Sequence, residues 1–334
     1  MRGASAASDA AISRIVIITR DCFTPPRRVR NDIVDMKKVL IIGEKGMLGQ
    51  ELVRVFSAPS PRRAQQGGYE VIAWDRDEID ITNEVQVKEK VGALAPQIII
   101  NAAAYNAVDK AEDPAEFELA KKLNGLAPGY LARIARDLSA VFVHFSTDYV
   151  FNGEKKEGYF ENDEPSPISN YGFSKLMGER EVEKIGGQYF IIRLQKLFGS
   201  PASVVGAKKS FFETMLALAQ TKKELEVVDE ELANFTYAPD LAQRTKYLIE
   251  NDSPSGIYHI TNESNPVTWF GAVKVLFEAA GIKDVKLIPV TADKFPRPAK
   301  RPRYSILLNT KLPPLRPWSE ALKEFLENID KKSS

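Results

Sequence analysis

Tyr171 and Lys175 stand four residues apart in the run Tyr171-Gly172-Phe173-Ser174-Lys175. On a helix that spacing stacks them on one face, one turn apart. Upstream, the run Ser146-Thr147-Asp148-Tyr149-Val150-Phe151 ends an apolar stretch and supplies a second hydroxyl, on Thr147. A phenol held by an ammonium, with a hydroxyl nearby, is a proton-transfer device. A free phenol has a pKa of about 10, and an adjacent cation favours the phenolate. The expectation is therefore a phenol pulled down by Lys175, with the rest of the chain bringing it a hydride donor and a carbonyl.

The elements that must position these residues can be read in order. Val39-Leu40-Ile41-Ile42 is a short apolar run bounded by glycine, as expected of a central parallel strand. Gly43, Gly46 and Gly49 follow at spacings of three and lead into a helical pattern through Met47, Leu48 and Leu52. Such glycines permit a tight turn and a close approach to a pyrophosphate at a helix N-terminus. The next strand ends in Asp75, where a carboxylate would accept hydrogen bonds from ribose hydroxyls and favour NADH. Lys45 and Arg76 lie close by and could hold a 2′-phosphate instead, so NADPH stays open. Asp80 and Ile81 follow, before a helix that Thr82 or Asn83 could cap.

Ile98-Ile99-Ile100 is a further buried strand, and Asn101-Ala102-Ala103-Ala104-Tyr105 lies at its carboxyl end, where small residues let a ligand approach. A helix is expected from about residue 114 to 138, interrupted near Pro128. Asn124 within it could hold a water near the site or simply be solvated. His144 and His259 lie on apolar strands and read as structural. Beyond Gly199 the texture changes to shorter helices and strands. The loop from Pro296 to Arg303 carries four cations in eight residues, and could offer guanidinium groups to a diphosphate or serve as a solvated linker.

The pattern from 39 to 193 alternates strand and helix, which calls for an α/β fold, a doubly wound parallel sheet with right-handed crossovers. We expect a dinucleotide-binding core over 37–196, with a returning segment near 223–261. A smaller C-terminal substrate-binding lobe would take 197–222 and 262–330. Residues 1–36 read as an extension, disordered or an overlong start. The 334 residues have a formal net charge of +1, which argues against nucleic acid as a partner. No apolar run reaches the roughly 20 residues of a membrane span. The single cysteine, Cys22, fits a reducing, cytoplasmic compartment, and no Cys/His cluster suggests a metal.

These motifs resemble the dTDP-4-dehydrorhamnose reductase family, within the extended short-chain dehydrogenase/reductase superfamily. The resemblance covers about residues 37 to 330. It rests on the glycine turn, the Asn101–Tyr105 run with Val108-Asp109-x-Ala111-Glu112, and the Ser146–Phe151 run. The Tyr171/Lys175 pair, Thr236-Tyr237-Ala238-x-Asp240-Leu241-Ala242 and Arg301-Pro302-x-x-Ser305-x-Leu307 complete it. It implies a Rossmann fold that reduces the C4 ketone of a nucleotide-linked deoxysugar, most closely dTDP-4-dehydro-L-rhamnose, with NADPH or NADH. Tyr171 would protonate the C4 oxygen, Lys175 would lower its pKa and bind the nicotinamide ribose, and Thr147 would hydrogen-bond the reacting oxygen. Gly43, Gly46, Met47, Leu48, Gly49, Asp75, Asp80, Ile81, Ala102, Ala103 and Ala104 would hold the cofactor. Tyr105, Asp148, Tyr149 and Arg301 would line the substrate side. Leu194-Gln195-Lys196-Leu197 stands where the family usually has Thr-Ser-Trp-Val, so Lys196 could meet a carboxylate or a phosphate. Ala233-Asn234-Phe235 likewise replaces Gly-Ser-Pro. Another nucleotide-sugar reductase or epimerase, a non-catalytic cofactor-binding regulatory subunit and a homodimeric assembly remain open at this stage.

Overall fold

In the computed structural model of the chain, residues 36–59, 68–202 and 209–333 are described, so the expectations for the first 35 residues lie outside it. The first apolar run forms β1 (Lys37–Ile42), followed by α1 (Met47–Ser57) and β2 (Tyr69–Trp74). Next come α2 (Glu84–Leu94), β3 (Ile98–Asn101), α3 (Pro114–Ala120), α4 (Ala127–Asp137) and β4 (Val141–Thr147). α5 (Asn170–Ile185) and β5 (Tyr189–Leu194) complete the alternation. The remainder comprises β6 (Leu197–Phe198), α6 (Phe211–Ala219), β7 (Glu224–Val228), β8 (Thr236–Tyr237) and α7 (Ala238–Glu250). β9 (Gly256–His259), α8 (Trp269–Ala279), β10 (Lys286–Val290) and α9 (Trp318–Ser333) follow.

Six strands form one sheet in the order β2-β1-β3-β4-β5-β9, all parallel. Successive side chains of a strand point to opposite faces, so β1 feeds two cores at once. Val39 and Ile41 pack with Leu52 and Phe56 of α1 and with Leu241 and Leu248 of α7. Leu40 and Ile42 pack with Val87 and Val91 of α2 and with Leu131 and Ala135 of α4. The strand order reverses between β1 and β3, and ligands of such sheets bind at the carboxyl ends flanking that reversal.

The helix expected over 114–138 is continuous, and its irregularity lies ahead of Pro128. α3 runs directly into a π-helical turn, Lys121–Leu126, and that into α4, so the wider turn stands next to Pro128, which has no N–H to donate. The return to the main sheet also begins later than residue 223. Glu224–Val228 pairs with β10 in a separate two-stranded sheet, and it is α7 and β9 that rejoin the six strands. Around that small sheet Phe198, Phe212, Phe235, Trp318 and Phe325 form an aromatic core with α6, α8 and α9.

Candidate active site

At the start of α1, two of the three glycines are demanded by space. Gly43 has φ +84°, and a Cβ there would lie 2.6 Å from the Ala103 nitrogen. A Cβ on Gly49 would lie 2.0 Å from the Gly43 oxygen. Gly46 is the N-cap of α1, which has no side-chain cap and no acidic residue in its first turn. Those N–H groups and the positive end of the helix dipole are thus left for an anion. The packed turn and the uncapped helix start fit the pyrophosphate of a dinucleotide. Asp75, just past β2, accepts the N–H of Lys45 at 3.3 Å and of Arg76 at 2.8 Å. The Lys45 ammonium goes to Asp77 at 2.7 Å, and that hydrogen bond raises its pKa. Met47, Leu48, Ala102 and Ala104 line the reaction cavity. Ala103 is tucked under Gly43, the exposed Asp80 accepts from Thr82 of its own turn, and the Ile81 side chain is buried in the core beside α2.

The residues expected to transfer the proton are brought together by one close helix approach. Ser169 caps α5 by accepting the Gly172 N–H at 3.2 Å. A Cβ on Gly172 would stand 2.2 Å from the Tyr149 oxygen, so only glycine lets α5 press against the turn that follows β4. Tyr171 thereby meets Tyr149 edge to face at 5.7 Å. Thr147 ends β4; its hydroxyl donates to Asp148 at 3.0 Å and accepts the Tyr149 N–H at 3.2 Å. One turn below Tyr171, the Lys175 ammonium donates to the Phe145 carbonyl at 2.6 Å. One turn further on, the buried Glu179 takes both ends of the Arg193 guanidinium, at 2.9 and 2.7 Å, tying α5 to β5. Thr147, Asp148, Tyr149, Tyr171 and Lys175 line one cavity of about 470 Å³ with Gly46, Met47 and Leu48.

The expected drop of the Tyr171 phenol is not what the site produces. Burial and the nearby Asp148 carboxyl push it above its ordinary value, with the Thr147 hydroxyl offsetting part of the rise. Burial pushes Lys175 down, to about 8, and its ammonium is committed to a backbone carbonyl. Desolvation disfavours whichever form is charged, and it is the largest cause of both shifts. Burial raises the Asp148 carboxyl to about 6, against hydrogen bonds from Ser305 and Thr147. Both histidines lie outside the cavity lining. Burial holds His144 well below its usual range, and burial with Arg193 pushes His259 to about 3, so each is neutral near pH 7.

Other expected residues are placed differently. The Tyr105 hydroxyl donates to Glu116 at 2.6 Å, and its neighbour Asn106 lines the cavity instead. Asn124 is buried rather than solvated. Its amide clamps the backbone of Tyr105, at 2.9 and 3.0 Å, and donates to Ser174 at 3.0 Å. Arg301 makes a fork with Asp109 at 3.0 and 2.8 Å and lines an outer groove of about 760 Å³. That groove shares Tyr149, Glu231 and Trp269 with the reaction cavity. Glu231 and Trp269 line the cavity without any signal in the sequence, and Ser305 joins them from the Arg301–Leu307 run. They come from three separate segments with no shared spacing. Asn106 could have been found, as the first side-chain amide beyond the alanine run at the end of β3.

Comparison with known proteins agrees with this geometry. The family model described as RmlD substrate binding domain matches residues 36–331. The chain is 36% identical over 296 residues to the spore coat polysaccharide biosynthesis protein SpsK of Bacillus subtilis, covering 87% of this chain and 98% of that one. It is 35% identical over 305 residues to a dTDP-4-dehydrorhamnose reductase of Aggregatibacter actinomycetemcomitans, covering 87% and 98%. It is similar to the crystal structure of dTDP-4-dehydrorhamnose reductase from Bacillus anthracis in complex with NADP. The TM-score is 0.79 at 33% sequence identity, over 88% of this chain and 100% of that one.

Proposed function

The chain belongs to the family of that RmlD substrate-binding-domain model, and from this premise we propose that it reduces the C4 ketone of a dTDP-linked deoxysugar, dTDP-4-dehydro-L-rhamnose in the first instance, with NADPH or NADH. The observation that carries the reading is that Tyr171, Lys175 and Thr147 open into the same cavity as the uncapped start of α1.

When bound, the reduced nicotinamide supplies the hydride. The chain's own residues supply the rest. The Thr147 hydroxyl and the Tyr171 phenol receive the C4 oxygen as charge develops on it. Tyr171 then gives its proton to that oxygen. Reduction needs the phenol in its protonated form, so the upward push from burial and Asp148 keeps the right species in place near neutral pH. An alkoxide is a far stronger base than a phenolate, so the transfer runs downhill. Lys175 stabilises the phenolate that remains, and its position one turn below keeps the ammonium within the same closed space. Tyr149, shared by the cavity and the outer groove, places the sugar at the junction, with the nucleotide running toward Arg297 and Arg301. Arg301 is paired with Asp109 and Arg297 with Glu231, so a diphosphate there would exchange with those carboxyls for the guanidinium groups.

Among the described residues no helix is long and apolar enough to cross a membrane. The single cysteine and the nicotinamide requirement support a cytoplasmic setting. The test is loss of nicotinamide absorbance with dTDP-4-dehydro-L-rhamnose and each cofactor in turn. One cofactor consumed per sugar is expected, which separates reduction from epimerisation. No oxidation with this sugar or any related nucleotide 4-keto sugar would overturn the reading.

A further inference from the structure

Lys196 is a cation held in an unusual way at the wall of the reaction cavity. The chain leaves the main sheet after Leu194 and pairs again at Leu197 with β8, and Lys196 takes the bend between. Its φ is +34°, in the left-handed region that favours glycine. Non-glycine residues held there are strained and gather at functional sites. Its ammonium lies 4.1 Å from the centre of the Trp269 ring and 5.2 Å from that of Phe235. The same indole carries Phe211 at 4.3 Å and donates its N–H to Glu231 at 3.0 Å. Trp269 is therefore occupied by the protein, as a shelf for the ammonium rather than a surface for a sugar.

The donors of Lys196 are incompletely used. An ammonium has three N–H groups. One goes to the Glu231 carbonyl, at 3.0 Å, and the described residues offer the other two no hydrogen-bond acceptor. Burial pushes this lysine down, to about 7, while Glu231 and Asp148 oppose the shift. Those two carboxyls decide what the free donors can take. Both line the same cavity, so an incoming carboxylate or phosphate would face two anions along with the one cation. A neutral oxygen meets no such repulsion. A sugar hydroxyl is the neutral acceptor that a nucleotide-linked hexose carries next to its reacting ketone.

Resting on the reductase reading above, we propose that Lys196, fixed on Trp269, is a specificity residue that donates to a ring hydroxyl of the sugar and selects 4-keto sugars that retain it. This replaces the sequence-based idea of a carboxylate or phosphate partner. A hydrogen bond to a charged group is worth enough to give roughly 10- to 100-fold discrimination.

The experiment compares the parent dTDP-4-keto-6-deoxyhexose with its 2-deoxy and 3-deoxy analogues. The unmodified protein is expected to prefer the parent over one analogue by roughly 10- to 100-fold in kcat/KM, mainly through KM. Lys196→Met keeps the length and apolar stem, and is expected to bring that ratio close to one by raising the parent's KM. NADPH affinity and melting temperature serve as checks on folding. Trp269→Phe keeps the ammonium on a smaller shelf and is expected to cut the ratio by about threefold. An unchanged ratio in folded Lys196→Met, or no preference in the unmodified protein, would overturn this inference alone. Failure of the unmodified protein to turn over any of the sugars would overturn the reductase reading, and this inference with it.

Discussion

The wall of the cavity that carries Thr147, Tyr171 and Lys175 is made at the ends of long regular elements, β4 and α5. The wall that carries Lys196, Glu231 and Trp269 is made where short strands, a bend and a helix start meet. On the first wall, position is set by backbone touching backbone, as at Gly172 against Tyr149, and by the buried Glu179–Arg193 fork. On the second, it is set by side chains holding one another: Lys196 on Trp269, Trp269 on Glu231, and Arg297 on Glu231. Backbone contacts leave little room for substitution, whereas side-chain contacts can be exchanged at modest cost. The residues proposed for proton transfer thus sit on the stiff wall, and substrate choice can drift on the other.

That contrast can be tested from its strongest consequence downward. Tyr171→Phe removes the proton donor and nothing that packs, so kcat should fall by roughly 10²- to 10⁴-fold with the melting temperature nearly unchanged. Steady-state kinetics with a thermal scan measure both, and retained turnover would remove the stiff wall's claim to the chemistry. Gly172→Ala should be the most damaging one-carbon change in the site. Its Cβ, 2.2 Å from the Tyr149 oxygen, must push α5 away. We expect a loss of about 1–3 kcal/mol by urea unfolding. A kcat lower by roughly 100-fold should accompany it, because a displacement near 1 Å spoils alignment.

Asp148→Asn separates stability from catalysis. The folded carboxyl is raised to about 6, so between pH 4 and 6 the folded state keeps a proton that the unfolded chain has released. Its contribution to stability is present below about pH 4 and is lost as pH rises through about 6. The neutral amide escapes that loss. Unfolding free energies from urea titration should match the parent below about pH 4 and exceed it by about 3 kcal/mol above pH 7. The smallest effect is expected in the outer groove that adjoins the second wall. Arg301→Lys exchanges the fork on Asp109 for a point charge on a partly exposed pair, which should change stability by less than about 1 kcal/mol. KM should rise roughly threefold with kcat unchanged. A loss comparable with that of Tyr171→Phe would mean that the two walls do not differ as described.

Much of the stiff wall was legible in the chain because its signals are local. The unbroken apolar run of β1, the glycine spacing before α1 and the one-turn spacing of Tyr171 and Lys175 are each short-range features. Where a local signal met a tertiary one, the tertiary one prevailed. Asn124 became a clamp because a π-helical turn faces it toward Tyr105 and Ser174, and Glu224–Val228 joined β10 rather than the main sheet. The Tyr105 phenol, at the end of the alanine run, was claimed by Glu116.

By itself the amino-acid sequence determined the alternating fold and the glycine turn, and it set the phenol proposed as proton donor one turn from Lys175, since each is written within a few turns of chain. Only the tertiary structure decided the direction of the phenol's shift, the indole beneath Lys196 and the carboxyls that face it. Those depend on which distant segments exclude water from a group, and desolvation is a property of the packed surroundings that no spacing along the chain encodes.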